Sequence, residues 1–302
     1  MTKTWVIVIG AMICCTLWGS AFPCIKIGYR LLEIAAADTA SQILYAGYRF
    51  TLAGVLTIAL GSILQRKILL PKRSAIGKIG LLSLLQTVLQ YLFFYIGLAH
   101  TTGVKASIIE AVSTFVAILV AGYLFHQETV TSRKMIGCLI GFAGVVLVNV
   151  AGSGMDFHFS PAGDGCILLS TVAYAFSSVC MKRFSQKEDP VMLSGYQFIL
   201  GGIVMIACGA AMGGHLKAFT VSAAALLIYM AMISAVAYSL WGMLLKYNPV
   251  SKVTVFGFMN PVIGVILSAL LLDETEALGV SSVLALGLVC VGIYIVNAKG
   301  KD

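Results

Sequence analysis

Residues 46–61 read AGYRFTLAGVLTIALG, and residues 194–209 repeat the pattern as SGYQFILGGIVMIACG. Eight of the sixteen aligned positions are identical, at a constant offset of 148 residues (194 − 46). Each copy is apolar enough to belong to a membrane span. The chain is therefore predicted to contain a duplicated set of membrane helices.

The repeat extends beyond these two segments. Trp18 aligns with Tyr174 at an offset of 156 residues (174 − 18). Further pairs follow at offsets of 146 to 148: Tyr91 with Tyr238, Lys105 with Lys252, Glu128 with Glu274, and Asn149 with Asn297. The two halves thus match helix for helix, and residues 1–151 and 160–298 are predicted to form two five-helix repeats.

The composition excludes a soluble protein. Of 302 residues, 60% are hydrophobic and only 11% are charged, and the mean hydropathy is +0.99. Soluble domains carry about 25% charged residues. The eight cysteines include no CxxC pair, so neither a disulfide framework nor a metal site is expected.

Ten apolar runs divide the chain, each long enough to cross the hydrocarbon core as a helix. They cover about residues 4–24, 43–64, 76–98, 102–125, 134–151, 163–181, 191–212, 221–245, 250–272 and 279–297. The loops between them are too short for a soluble domain. The predicted fold is an all-α membrane protein with ten transmembrane helices.

The basic residues indicate the orientation of the chain. With the N-terminus in the cytoplasm, 15 Lys and Arg residues lie inside and only Lys26, Arg30, Lys105 and Lys217 lie outside. Cytoplasmic loops are enriched in these residues, so both termini are predicted to be cytoplasmic, in the inner (plasma) membrane. A cysteine placed at Gly154 should then be labelled from outside, and one at Ser74 should not.

An odd number of spans in each repeat has a geometric consequence. Span one runs from inside to outside, whereas its counterpart, span six, runs from outside to inside. The two repeats are therefore inverted, and a pseudo-two-fold axis in the membrane plane relates them. Secondary transporters use this architecture because two inverted halves can open one central site to either side.

Several short motifs resemble the EamA branch of the drug/metabolite transporter superfamily. They are LWGSAF at 17–22, YRF at 48–50, NP at 260–261, and Glu128 and Glu274 after spans four and nine. The resemblance covers nearly the whole chain. It implies a central cavity lined by spans one to four and six to nine, with spans five and ten at the periphery. Span four departs from the pattern because it has Ser113 and Thr114 in place of Asn-Pro and carries Glu110.

Glu110 is the least expected residue, because an acid inside a span must be paired, protonated or hydrated. Arg49 is the other charge within a span, about six residues, or roughly 9 Å, from the outer side. Glu110 enters from the same side to nearly the same depth. One interpretation is a structural Arg49–Glu110 ion pair. The other is that Glu110 couples transport to protons or balances a substrate charge, with Arg49 as a second candidate for coupling or gating.

Aromatic and polar residues complete the predicted site. Trp18 and Tyr174, Tyr48 and Tyr196, and Tyr91 and Tyr238 are repeat partners and could converge about the pseudo-axis, although ordinary packing is the alternative. Gln86 and Gln90 lie one turn apart and could hydrogen-bond a substrate. The predicted substrate-binding residues are Trp18, Gln90, Glu110, Tyr174, Tyr238 and Trp241.

No sequence motif indicates catalysis, so the protein is not predicted to be an enzyme. The leading hypothesis is a secondary transporter of small metabolites, most often an exporter of amino acids or related compounds in the family it resembles. Alternatives are a carrier for organic cations such as choline and a non-transporting membrane subunit or receptor. The expected partners are a small-molecule substrate, membrane lipid and a proton as candidate coupling ion, with no cofactor and no nucleic acid. A homodimer remains open.

Overall fold

The computed structural model describes residues 1–101, 103–150, 159–217, 220–272 and 280–298. Within these ranges the chain forms helices long and apolar enough to cross a membrane. In order, spans one to ten are Thr4–Leu31, Thr39–Leu64, Arg73–Leu98, Lys105–Leu124, Ser132–Val150, Pro161–Ser185, Pro190–Ala211, Val221–Tyr247, Val250–Leu267 and Val280–Asn297. The predicted fold class is confirmed.

The helices begin and end close to the predicted limits, with one clear exception. Span one continues to Leu31, so Lys26 and Arg30, which were predicted to lie in an outer loop, belong to the helix. Pro23 lies inside this helix without ending it. Span two starts at a capping residue, Asp38, whose carboxylate accepts the Ser41 backbone N–H at 3.0 Å, as helix starts require.

Spans three, four and nine are not continuous α-helices. Span three contains a π-helical segment, Ser83–Leu89. Span four consists of Gly103–Ala111, Ser113–Leu119 and a π-helical end, Val120–Leu124, with a break at Val112. Span nine contains a 3₁₀ segment, Val255–Phe258. Such interruptions in membrane helices are tolerated where the backbone is buried in protein or lines a cavity.

Spans two and seven pack along a line of small residues. A Cβ added at Gly54 would lie 2.5 Å from the Gly195 carbonyl oxygen, and one at Gly47 would lie 3.0 Å from the Gly202 carbonyl oxygen. Gly47 is the repeat partner of Gly195, and Gly54 is the partner of Gly202. The two helices are therefore antiparallel, and each contact has a counterpart in which the partners exchange roles.

Spans five and ten show the same reciprocity. A Cβ at Gly137 would lie 2.9 Å from the Gly292 carbonyl oxygen, and one at Gly144 would lie 2.7 Å from the Ala285 carbonyl oxygen. Ala285 is the repeat partner of Gly137, and Gly292 is the repeat partner of Gly144, each at an offset of 148 residues (285 − 137 and 292 − 144). Two reciprocal antiparallel crossings agree with the predicted inverted repeat. Only glycine permits backbones to approach so closely, as is common between membrane helices.

Candidate functional site

A group of aromatic side chains in mutual contact lies where the two repeats meet. We call it the central aromatic cluster and define it as Trp18, Phe50, Tyr91, Phe198, Tyr238 and Trp241. Ring centroids of neighbours are 4.4 to 5.3 Å apart along the order Tyr91, Phe50, Phe198, Tyr238, Trp18 and Trp241. These distances are typical of favourable aromatic contacts.

Repeat partners meet directly inside this cluster. The hydroxyl oxygens of Tyr91 and Tyr238 are 2.9 Å apart and share a hydrogen bond. The rings of Phe50 and Phe198 stack with centroids 5.3 Å apart and an interplanar angle of 12°. The four residues form a closed ring of contacts. The site is thus built from equivalent positions of both repeats.

The structure brings most of the predicted aromatic residues together. Trp18 contacts both Tyr238 and Trp241, and Tyr174 packs against the same buried group as Phe50 and Tyr238. The predicted convergence of Tyr48 with Tyr196 is wrong, because Tyr48 is 42% exposed on the outer surface of the bundle. Phe50 lies two positions later, on another face of the helix, and is the residue that points inward.

Several polar atoms around the cluster are buried without a hydrogen-bond partner. Within the described part of the chain these include Trp18 Nε1, Trp241 Nε1, Gln90 Oε1 and Arg49 Nε. Buried polar atoms are almost always satisfied. A concentration of unsatisfied atoms next to an aromatic surface is typical of a site that binds a ligand or water.

Arg49 is the most exceptional of these residues. Its side chain is only 5% exposed, and its Cζ lies 4.3 Å from the ring centroid of Phe50 and 5.7 Å from that of Tyr91. Its other electrostatic neighbours include Tyr45, Tyr95 and Tyr238. Cation–π contacts stabilise the charge, but they do not satisfy the N–H donors of the guanidinium.

The predicted ion pair between Arg49 and Glu110 does not form. Ion pairs among the described residues join other partners, and the Glu110 carboxylate has no hydrogen bond to a described residue. Tyr91 interacts electrostatically with both charges. The sequence predicted a similar depth in the membrane for Arg49 and Glu110. Depth along a helix does not determine the direction in which a side chain points.

Gln197 occupies the position in the second repeat that Arg49 occupies in the first. Its side chain is fully buried. Its Oε1 accepts from the Thr87 hydroxyl at 2.6 Å, and its Nε2 donates to Gln86 Oε1 at 3.2 Å. Gln86 therefore bonds within the fold, whereas Gln90 Oε1 is buried without a partner among the described residues. Of the expected polar stripe, Gln90 is the member left for a substrate.

Glu110 lies at the break in span four, one residue from the end of Gly103–Ala111. Its repeat partner, Gly257, lies in the 3₁₀ segment of span nine, so both interruptions occur at equivalent positions. The two spans meet there, since the Thr114 hydroxyl donates to the Thr254 carbonyl oxygen at 3.1 Å. Discontinuous helices of this kind form substrate and ion sites in many transporters.

A second charged site lies where the loop after span four meets the start of span nine. Glu128 Oε1 accepts from the Ser251 backbone N–H at 2.9 Å, and its Oε2 accepts from the Ser251 hydroxyl at 2.5 Å. Lys134 Nζ also contacts Oε2, at 2.8 Å. The Glu128 side chain is 5% exposed and fully satisfied. Its repeat partner, Glu274, lies outside the described residues.

Sequence reasoning missed several residues of the site. Phe50 and Phe198 were visible as an identical repeat pair, but their lack of polar groups concealed their role. Tyr29 and Tyr45, whose rings lie 6.1 Å apart, have no aromatic repeat partner to draw attention to them. The hydrogen bonds of Gln197 could not be predicted, because its partners are about 110 residues away in the sequence.

The profile of the EamA-like transporter family matches residues 5–150 and 161–298. An "Uncharacterized transporter" of Archaeoglobus fulgidus is 28% identical over 98% of this chain and 99% of its own length. The "Uncharacterized transporter YvbV" of Bacillus subtilis is 26% identical over 94% and 89%, and the "Uncharacterized inner membrane transporter YedA" of Escherichia coli K12 is 28% identical over 94% and 90%.

A solved structure, titled only as the crystal structure of a protein, superposes with a TM-score of 0.80. It covers 98% of this chain and 97% of its own length at 17% identity, so it supports the fold alone. Two matches of one family profile together span nearly the entire sequence. The chain belongs to the EamA-like transporter family and is a multi-pass membrane transporter.

Proposed function

We propose that the protein is a secondary active transporter that exports amino acids or related small metabolites by alternating access. The observation that carries the proposal is the central aromatic cluster, which joins repeat partners from both halves and is bordered by unsatisfied polar atoms. Binding pockets for small molecules combine apolar walls with a few polar groups that fix orientation. Trp18, Gln90, Tyr174, Tyr238 and Trp241 are the proposed substrate contacts.

Counterflow in proteoliposomes tests this proposal. Liposomes loaded with unlabelled L-amino acids should accumulate the labelled compound when the protein is present and should not when it is absent. Trp18→Phe keeps an aromatic ring and removes the unsatisfied Nε1–H, so it should reduce counterflow while the protein remains folded. Trp5→Phe is the matched control, because Trp5 is 61% exposed on the surface. Equal counterflow by both variants would contradict the site.

A carrier for organic cations is the second candidate. It is favoured by Glu110, whose carboxylate forms no ion pair with any described residue and which lies at the break in span four. A carboxylate in this position could balance a cationic substrate or exchange a proton for it. Counterflow of choline or other amines in place of amino acids would support this candidate over the first. Lack of any counterflow would favour a non-transporting subunit or receptor.

Glu110→Gln tests the coupling role because it keeps the shape and removes the titrating group. If Glu110 carries the proton, the variant should fold, lose the pH dependence of transport and retain only exchange. Ser107→Ala, one turn earlier on the same helix, is the control. Full pH-dependent transport by a well-folded Glu110→Gln protein would eliminate the role.

The orientation belongs to the same proposal. The excess of Lys and Arg in alternate loops supports cytoplasmic termini. Impermeant thiol labelling should miss a cysteine at Ser74, in the first turn of span three, and should reach one at Lys217, after span seven. Gly154, the outer position considered from the sequence, lies outside the described residues. The opposite labelling pattern would reverse the proposed cavity faces.

A further inference from the structure

Arg49 carries a buried charge for which the described residues provide no counter-charge and no hydrogen-bond acceptor. A guanidinium has five N–H donors, and no described residue accepts a hydrogen bond from it. Its Nε is completely buried without a partner, and the side chain is 5% exposed. An unpaired buried charge is costly. We therefore expect the Arg49 guanidinium to receive its hydrogen-bond acceptor from a bound ligand.

In the second repeat, the residue equivalent to Arg49 has hydrogen-bond partners within the protein. Gln197, at the equivalent position, is held by Thr87 and Gln86. At the offset of 147 residues that relates Tyr91 to Tyr238, the mirror positions of those two residues are Ile233 and Ser234. Isoleucine has no acceptor, and the Ser234 hydroxyl makes no hydrogen bond to Arg49. The partner present on one side of the pseudo-axis is missing on the other.

The surroundings of Arg49 specify the kind of anion that fits. Phe50 and Tyr91 lie against the guanidinium, and the other electrostatic neighbours given by the structure are tyrosines. A single cation in an aromatic environment balances one negative charge, whereas a phosphate dianion would require more cations. The planar guanidinium fork matches a carboxylate, which it binds through two parallel hydrogen bonds.

We propose that Arg49 binds the carboxylate of the transported substrate, so that the transporter selects carboxylate-bearing metabolites over their amides and amines. This inference rests on the proposed transport function and names the substrate class for the same site. The Tyr91 ring centroid lies 5.7 Å from Arg49 Cζ, and the Tyr91 hydroxyl, bonded to that of Tyr238, is the proposed second contact for the carboxylate. Arg49 is then a specificity-determining residue and not a structural one.

The test measures binding to the full-length protein in detergent. The twenty common L-amino acids are screened by thermal shift, and each one that stabilises the protein is compared with its amide and its decarboxylated amine. Loss of a charge-assisted hydrogen-bonded pair should weaken binding about 10- to 100-fold. Arg49→Gln should bind acid and amide equally, and Arg49→Lys should keep part of the preference for the acid. Arg30→Gln, at an exposed arginine of span one, is the matched control.

The outcomes are distinct. A preference for the acid that is lost in Arg49→Gln and kept in Arg30→Gln supports the inference. Equal binding of acid and amide by the unmodified protein overturns it and leaves the transport proposal standing if counterflow persists. Stabilisation by chloride or phosphate alone, abolished in Arg49→Gln, overturns the carboxylate assignment. If no acid binds and no acid shows counterflow, both proposals are overturned. If Arg49→Gln fails to fold, Arg49→Lys replaces it in the test: a reduced preference for the acid supports the inference, and an unchanged preference overturns it.

Discussion

Arg49 and Gln197 occupy equivalent positions in the two repeats, but their surroundings differ. Gln197 is neutral, fully buried and hydrogen-bonded at both ends of its amide. Arg49 is charged, equally deep and without an acceptor among the described residues. Duplication supplied the same backbone twice, and the side chains then diverged. The difference separates a position that serves packing of the fold from one left open for a ligand.

Glu128 shows that this protein satisfies a buried charge where the charge serves the fold. Three donors, two from Ser251 and one from Lys134, meet its carboxylate. The contrast is therefore between a charge that the fold itself pairs and a charge without a partner among the described residues, a property that Arg49 shares with Glu110.

The largest loss of stability is expected for Glu128→Ala. The change removes the carboxylate that accepts from the Ser251 N–H and hydroxyl and leaves Lys134 with the Thr129 carbonyl oxygen alone. Removal of one partner of a buried ion pair costs about 3–5 kcal/mol. Denaturant unfolding in detergent measures the change. Glu33→Ala is the control, because Glu33 pairs with Lys217 at an exposed site where such pairs contribute about 0–1 kcal/mol. Similar losses in both variants would show that Glu128 is not a structural anchor.

A smaller loss is expected for Gln197→Leu. The leucine fills the space but leaves the Thr87 hydroxyl and the Gln86 carbonyl oxygen buried and unpaired, at about 1–3 kcal/mol. The same unfolding measurement applies, with the exposed Gln186→Leu as control. An unchanged free energy of unfolding would remove the distinction between Gln197 and Arg49.

Tyr91→Phe and Tyr238→Phe should each cost about 0.5–1.5 kcal/mol, because each removes the same hydroxyl–hydroxyl bond. Since the two changes share one interaction, the double variant should cost no more than about the larger single loss. Strict additivity in this double-mutant cycle would indicate that the two hydroxyls do not bond each other and that the repeats do not meet at this pair.

The sequence could predict the architecture because the repeat, the apolar runs and the basic loops are each regular patterns. It also offered Tyr91 and Tyr238 as a pair that could converge, with ordinary packing as the alternative, because equivalent residues of an inverted repeat approach the same axis. It could not predict the partners of Arg49 or Gln197. Hydrogen-bond partners depend on helix rotation, and the π-helical turns of span three change that rotation by local geometry that the sequence pattern does not reveal.

The same limit explains the two site predictions that changed. Tyr48 points outward although its neighbour Phe50 points inward, because two residues along a helix are on different faces. Arg49 and Glu110 do not pair with each other although their predicted depths match, and neither has an ion-pair partner among the described residues. Charges and aromatic residues could be found from the sequence, whereas their directions required the packed bundle.

Within the described residues Arg49 has no partner, and the free energy of unfolding of Arg49→Gln without ligand tests this most directly. This change makes the first repeat resemble the second. Because it removes an uncompensated buried charge at the expense of cation–π contacts, we expect a value within about 1 kcal/mol of the unmodified protein. Arg49→Met, which is apolar and of similar length, should behave alike. A loss of about 3 kcal/mol or more in both, comparable to Glu128→Ala, would contradict the account.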